Sequence, residues 1–255
     1  MRVVRIDTAS GPTFGRLEDD VVHHLTAAPW EGGVPTGATV SLADTTLLAP
    51  ATPSKIVGIG RNYRDHIEEM GYQVPERPSI FLKPPSALIG PGAAIELPPP
   101  GLAGEVQHEA ELVAVIGRRM RNVAADSTLE HVFGFTGGND VSARVQQRQD
   151  GNQTRAKGFD TFCPIGPWIE TDLDLASGVA VRCDVNGERR QDGNTAQLVF
   201  DVAGLLSTLS HIMTLEPGDL VMTGTPGGCT DLAPGDTVRV EIGGIGRLEN
   251  PVVAT

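Results

Sequence analysis

The segment Glu105 to Gly117, reading EVQHEAELVAVIG, constrains this chain more than any other stretch. Polar alternation in its first half gives way to a continuous apolar run, Leu112 to Ile116, of the kind expected for a strand that enters a core. The rest of the chain must therefore build a sheet around it. With 31 glycines and 19 prolines in 255 residues, that body is turn-rich and made of short strands, not a helical bundle. A β-rich α+β fold is expected, with 40% apolar residues enough for a sizeable core.

Turn signals divide the chain. Val3 to Ile6, Thr13 to Leu17 and Val21 to Leu25 read as short strands broken by Ser10-Gly11-Pro12 and Glu18-Asp19-Asp20, so residues 1–50 are expected to form a small N-terminal β domain. After Pro50 to Pro53 the texture changes, and residues 51–255 are read as the main domain. Lys55 to Gly60 is a strand candidate; a short helix is expected at Tyr63 to Met70, capped by Asn62 and stopped at Gly71. Ser127 with Glu130 resembles a capping box before the apolar Val132 to Phe135. Asn186-Gly187 predicts a type I′ hairpin between Val179 to Val185 and Glu188 to Arg190. One long amphipathic helix is expected over Gln197 to Met213, capped by Asn194 and Gln197, and strands are expected at Leu220 to Thr223, Val238 to Ile242 and Leu248 to Val253.

Charge and cysteine usage exclude several roles. A net charge of −12 disfavours phosphate and nucleic-acid binding. Cys163, Cys183 and Cys229 are odd in number, widely spaced and without a CxxC pair, which suggests neither disulfides nor a cysteine zinc site and fits a cytoplasmic setting. Asp7 falls where a signal peptide would be apolar, and no run approaches the roughly 18 apolar residues of a membrane span. Gly58-Ile-Gly60 begins like a dinucleotide fingerprint, but Tyr63 stands at the third glycine position, so nucleotide binding is set aside. Without a GxSxG elbow or a Cys/His signature, no covalent nucleophile is indicated.

The candidate chemistry is acidic. Glu109 and Glu111, two apart on a strand, point to one face and repel unless a cation lies between them; the alternative is that both face water at the strand end. Asp140, after two glycines, can join them or can cap a helix over Val141 to Gln149. Three carboxylates without a thiolate suit Mg²⁺ or Mn²⁺, and His108 faces away from the pair. His66 and Glu69, at i and i+3, outline a general-base dyad, although such pairs also occur as solvated surface contacts. Lys83 and Lys157 stand in apolar or glycine-rich surroundings where a cation can meet a substrate carboxylate or a developing enolate, or can simply snorkel to water.

Six motifs taken in order, Gly60 to Met70 (GRNYRDHIEEM), Phe81-Leu-Lys83-Pro, His108-Glu109-Ala-Glu111-Leu, Gly138-Asn-Asp140-Val-Ser-Ala-Arg144, Lys157-Gly-Phe-Asp160-Thr-Phe and Thr223-Gly-Thr225-Pro-Gly, resemble the fumarylacetoacetate hydrolase family from about Lys55 to Val253. The resemblance implies a mixed β-sandwich or β-roll catalytic domain, usually a homodimer, with Mg²⁺ or Mn²⁺ held by Glu109, Glu111 and Asp140. It implies His66 and Glu69 as the proton-transfer dyad on a lid, Lys157 as a polarising group, and Arg144, Gln147 and Thr225 near a substrate that is a 2-oxo acid or β-diketo acid, a dicarboxylate among them. Ala110 departs from the larger apolar residue relatives often carry there, which alters packing and leaves the ligands in place.

All reactions implied by this resemblance pass through a metal-stabilised enolate. An isomerase or decarboxylase of the 2-hydroxyhepta-2,4-diene-1,7-dioate type leads; acylpyruvate hydrolysis and oxaloacetate decarboxylation follow. A non-catalytic metal-dependent dicarboxylate binder is the reading from another class, against which the intact His66, Glu69 and Lys157 speak.

Overall fold

The computed structural model describes residues 1–255, the side-chain surroundings of Pro100 excepted. Two sheets pack face to face, with helices and loops at the rims. The larger sheet runs, in spatial order, Pro35–Ser41, Val21–Leu25, Thr13–Glu18, Arg2–Asp7, Cys163–Glu170, Val132–Asn139, Ala110–Ile116, Leu220–Met222, Ile56–Gly60 and Ser79–Lys83. The smaller runs Glu188–Asn194, Ala180–Val185, Thr237–Ile242, Gly246–Ala254 and Ile95–Leu97. This is the β-rich α+β architecture the sequence predicts.

Strand Ala110–Ile116 is buried along its whole length. Leu112, Ala114 and Ile116 join the core between the two sheets with Val181, Val240, Ile242 and Leu248, while Val113 and Val115 face the opposite side with Ile165, Ile169, Leu220 and Met222. Covered faces on both sides are the physical reason for the unbroken apolar run. Arg2 and Val3 pair with Glu170 and Ile169, so the N-terminal strands continue the larger sheet.

The hairpin signal is met by strands Ala180–Val185 and Glu188–Asn194, with Asn186 and Gly187 both at positive φ. Three capping expectations are corrected. Helix Arg64–Glu69 has Tyr63 at its N-cap without a side-chain bond; Asn62 instead donates to the carbonyls of Phe200 and Thr223 and accepts from Phe200 N. That pull holds residues 198–201 out of helical conformation, so Asn194 and Gln197 close a capping box on the short turn Thr195–Gln197, and the long helix begins only at Val202 with Asp201 as its cap. Ser127 bonds Asp126, and the turn Ala125–His131 carries no capping box.

All three cysteines are free. Among the described residues, no helix is long and apolar enough to cross a membrane.

Candidate active site

Strand pairing assembles the acidic cluster. Ala110 pairs with Asn139 across the larger sheet, Asn139 Oδ1 accepts from Glu109 N at 2.9 Å, and Asp140 N donates to Glu109 O at 2.8 Å. Asp140 therefore stands beside the ends of Glu109 and Glu111, and one carboxylate oxygen of each lies within 4.8 Å of the others. Asp140 is not a helix cap: helix Arg144–Asp150 starts after Ala143 with no side-chain cap bond. Neither glutamate faces water; Glu109 and Glu111 are 4% and 1% exposed.

Three cations meet these carboxylates. Lys157 Nζ lies 2.7 Å from Glu109 Oε2 and 2.6 Å from Asp140 Oδ2. Arg144 Nη1 reaches Glu109 Oε1 at 2.5 Å. Lys83 Nζ lies 2.6 Å from Asp140 Oδ1. Burial opposes the charge on Glu109, but Lys157 and then Arg144 and His66 outweigh it and hold its carboxyl far below the ordinary range. Lys157 likewise loses to burial and gains more from Asp140 and Glu109, so its pKa is raised and it stays an ammonium.

Glu111 is different. Its Oε2 accepts only from Gly224 N, at 2.6 Å, and burial, Asp140 and Glu109 together raise its carboxyl well above the usual range. A buried carboxylate with two like neighbours and no side-chain cation of its own within salt-bridge reach, among the described residues, fits a hard dication. Three oxygen donors and no sulfur suit Mg²⁺ or Mn²⁺, so the residues present are a candidate metal centre.

A cavity of ≈ 220 Å³ opens onto this cluster. Seven residues expected from the sequence line it: His66, Glu109, Glu111, Arg144, Gln147, Lys157 and Thr225. Asp140 is not in that lining but is held by two lysines, one of which, Lys157, is. Two expected residues stand outside. Lys83, expected at the substrate, is 1% exposed and outside the lining; it bonds Asp140 Oδ1 and the Val141 carbonyl, so it orients a carboxylate. Glu69 Oε2 accepts from Gly228 N at 3.0 Å and lies 3.6 Å from His66 Nδ1, too far for a hydrogen bond, so the dyad is near but not closed.

Helix Arg64–Glu69 is docked on the loop that follows Thr223 through its carboxylates, with Asp65 Oδ2 accepting from Gly227 N at 3.2 Å beside the Glu69 contact. Gly224 sits at φ +103°, and a Cβ there would lie 2.8 Å from Asn62 Cβ, so only glycine lets this backbone turn its N–H towards Glu111.

Sequence reasoning gave no role to Gln191. Gln191, fully buried, accepts from Ala110 N at 3.0 Å and donates to Thr225 Oγ1 at 2.8 Å and Pro226 O at 2.7 Å, tying the metal-site strand to the Thr225 loop. His108 faces away from the carboxylates, as expected, between Gln191 Oε1 and Thr230 Oγ1, each at 3.0 Å; burial pushes its pKa down to about 4. Phe81 places its ring 5.0 Å from Lys157 Nζ. Arg61, Tyr72, Ser79 and Gln153 also line the cavity. Phe81 stood in a quoted motif beside Lys83, but nothing local marks Gln191, whose partners are 34 to 83 residues away.

The profile described as fumarylacetoacetate (FAA) hydrolase C-terminal matches residues 55–253, and that described as Rv2993c-like, N-terminal, matches residues 1–50. The chain is similar to a solved structure of 5-carboxymethyl-2-hydroxymuconate delta-isomerase from Mycobacterium smegmatis, with 46% identity, a TM-score of 0.93 and 100% of each chain covered. It is similar to maleylpyruvate hydrolase from Sphingobium sp. SYK-6, solved with manganese (II) ion and pyruvate, at 33% identity and a TM-score of 0.81, over 100% of this chain and 99% of that one. Among curated proteins, the mitochondrial oxaloacetate tautomerase fahd2 of Xenopus laevis is 42% identical over 226 residues, which is 84% of this chain and 70% of that protein.

Proposed function

The chain belongs to the fumarylacetoacetate hydrolase family, and from that premise we propose that it is a divalent-metal-dependent isomerase that shifts a proton within a small 2-oxo dicarboxylate or its enol. The observation that carries this reading is the charge balance of the buried cluster. Glu109, Glu111 and Asp140 are matched by Lys83, Arg144 and Lys157, so the side chains alone are neutral when all are charged. A bound dication leaves an excess of two positive charges in a buried place, and a dianionic substrate cancels it. A cavity of ≈ 220 Å³ lies below the roughly 300–1,000 Å³ of sites for drug-sized ligands, which favours an acid of a few carbons.

When bound, Mg²⁺ or Mn²⁺ supplies the Lewis acidity that eases loss of a proton beside a 2-oxo group. The chain's residues do the rest. His66, nine-tenths buried on the cavity wall, is the group able to take a proton from one atom of the substrate and return it to another. Lys157, whose ammonium is held at Asp140 Oδ2 and Glu109 Oε2, is a fixed donor beside the place where enolate charge develops. Arg144 Nη1 bonds Gln147 Oε1 at 2.9 Å, and both line the cavity where they can orient the second carboxylate.

Proton shift without bond cleavage is the chemistry named for two of the similar proteins, an isomerase and a tautomerase. Glu69 beside His66 favours a second reading, hydrolysis of an acylpyruvate, because a water-activating imidazole needs an orienting partner. The test is turnover by chelator-stripped protein with Mg²⁺ or Mn²⁺ restored. Oxaloacetate keto–enol exchange and a 2-hydroxy-dienedioate are followed by ultraviolet absorbance; acetylpyruvate and fumarylpyruvate are followed by loss of the diketo acid. Metal-dependent proton shift in either of the first pair supports the proposal. Cleavage confined to the second pair moves the protein to the hydrolases, and no turnover of any substrate leaves a dicarboxylate binder.

A further inference from the structure

We infer that His66, Glu109 and Cys229 form a second metal site, suited to a thiophilic dication such as Zn²⁺, which shares Glu109 with the carboxylate trio and blocks the centre when filled. A ring nitrogen of His66, a carboxylate oxygen of Glu109 and Sγ of Cys229 lie within 4.8 Å of one another. In a tetrahedral zinc site, bonds of about 2.0–2.3 Å place two ligand atoms about 3.4–3.6 Å apart. Reaching that from separations of up to 4.8 Å asks for closure of up to roughly 1.3 Å, which side-chain rotation of His66 and Cys229 supplies.

Two further observations point the same way. His66 is 8% exposed, and its ring makes no closed hydrogen bond at Nδ1, so the imidazole is free to turn towards a metal. Cys229 is half-buried and held only by long contacts, 3.5 Å from Gln191 Nε2 and 3.9 Å from the Pro226 carbonyl, so its thiol is free to turn. The mixed nitrogen, oxygen and sulfur set suits Zn²⁺ and not Mg²⁺ or Mn²⁺, which prefer the neighbouring oxygen trio. As the Zn–Sγ bond forms, the thiol releases its proton to solvent, and a water completes four ligands. Zinc bound this way occupies the proposed proton carrier and draws Glu109 from the trio. The blockade rests on the proposed function; the site itself does not.

The test uses the full chain, stripped of metal and titrated with Co²⁺, which takes zinc sites and reports a thiolate ligand by a near-ultraviolet charge-transfer band. One equivalent is expected to produce the band, and Zn²⁺ to displace it. Cys229→Ser is expected to abolish the band and His66→Gln to weaken binding roughly tenfold or more, since even outer-shell partners are worth that much. Cys163 and Cys183, fully buried within hydrophobic clusters, serve as internal controls. No band in the parent protein, or a band that survives in Cys229→Ser, overturns the site. If Cys229→Ser does not fold, alkylation of the parent protein mapped by mass spectrometry decides: protection of Cys229 by Zn²⁺ supports the site, and unchanged labelling overturns it. Full turnover with the band saturated keeps the site and overturns the blockade, and with it His66 as proton carrier.

Discussion

Lys83 Nζ lies 2.6 Å from Asp140 Oδ1, and neither side chain is more than about one per cent exposed. The pair is one end of a row, Lys83, Asp140, Lys157, Glu109 and Arg144, in which charges alternate in sign. Alternation explains how so many ions are tolerated in the interior: each has a partner at hydrogen-bond distance. Only Glu111, off the row, depends on a backbone N–H.

Removing one member takes a buried partner from its neighbour; Asp140 without Lys83 keeps only Lys157. Lys83→Met is expected to cost about 3–5 kcal/mol of stability, the range for breaking a buried pair, with KM little changed because Lys83 does not line the cavity. Urea unfolding and steady-state kinetics check both; a raised KM without loss of stability would return Lys83 to the substrate.

Glu111 sets the pH response of the metal-free protein. Its folded-state pKa is raised above the ordinary 4.5, so its contribution to stability is fully present below about that pH and is lost as pH rises through the folded value. Metal-free protein is expected to lose thermal stability over that rise, metal to restore it, and Glu111→Gln to remove both the slope and the tight metal binding. Calorimetry in chelator across pH, paired with metal titration, is the measurement; an unchanged slope in the variant would refute the assignment.

His108 has the opposite sign. Its pKa is lowered from 6.5 to about 4, chiefly by burial, so its contribution is present above 6.5 and is lost as pH falls through 4. At most one proton is involved, so the slope is no more than about 1.4 kcal/mol per pH unit. His108→Gln is expected to flatten the stability curve between those values, and a curve that keeps its acid slope would point to another group.

His66→Ala separates proton transfer from binding. Loss of a general acid–base group is expected to lower kcat by about 10²- to 10⁴-fold with KM nearly unchanged. A raised KM at unchanged kcat would make His66 a binding residue.

Gln191→Leu tests the brace between the metal-site strand and the Thr225 loop. It strands Ala110 N and His108 Nδ1, and about 1–3 kcal/mol of stability is expected to go with each buried group left unpaired. Because Thr225 loses its donor, KM is expected to rise more than kcat falls; wild-type kinetics in a destabilised variant would confine Gln191 to structure.

By itself the sequence determined what depends on short-range periodicity and turn chemistry. Glu109 and Glu111 share a face because side chains alternate along a strand, and the apolar run after them requires burial. Asn186-Gly187 makes its hairpin because both residues accept positive φ. The motif spacing from Gly60 to Thr225 was enough to resemble a family, and most of the residues it singled out converge on one cavity. Only the tertiary structure decided partnerships across long separations. Asn62 had an open choice between capping the next helix and bonding Phe200 and Thr223, 138 and 161 residues on; the fold brought the carbonyls that won. Asp140 could have capped a helix, and it became part of the acidic cluster because pairing of Ala110 with Asn139 set it beside Glu109 and two lysines. Lys83 had the right chemistry for a substrate carboxylate, but position relative to Asp140 gave it a buried ion pair instead. Local sequence fixes which groups a residue can satisfy, and the packed fold fixes which of them come within 3 Å.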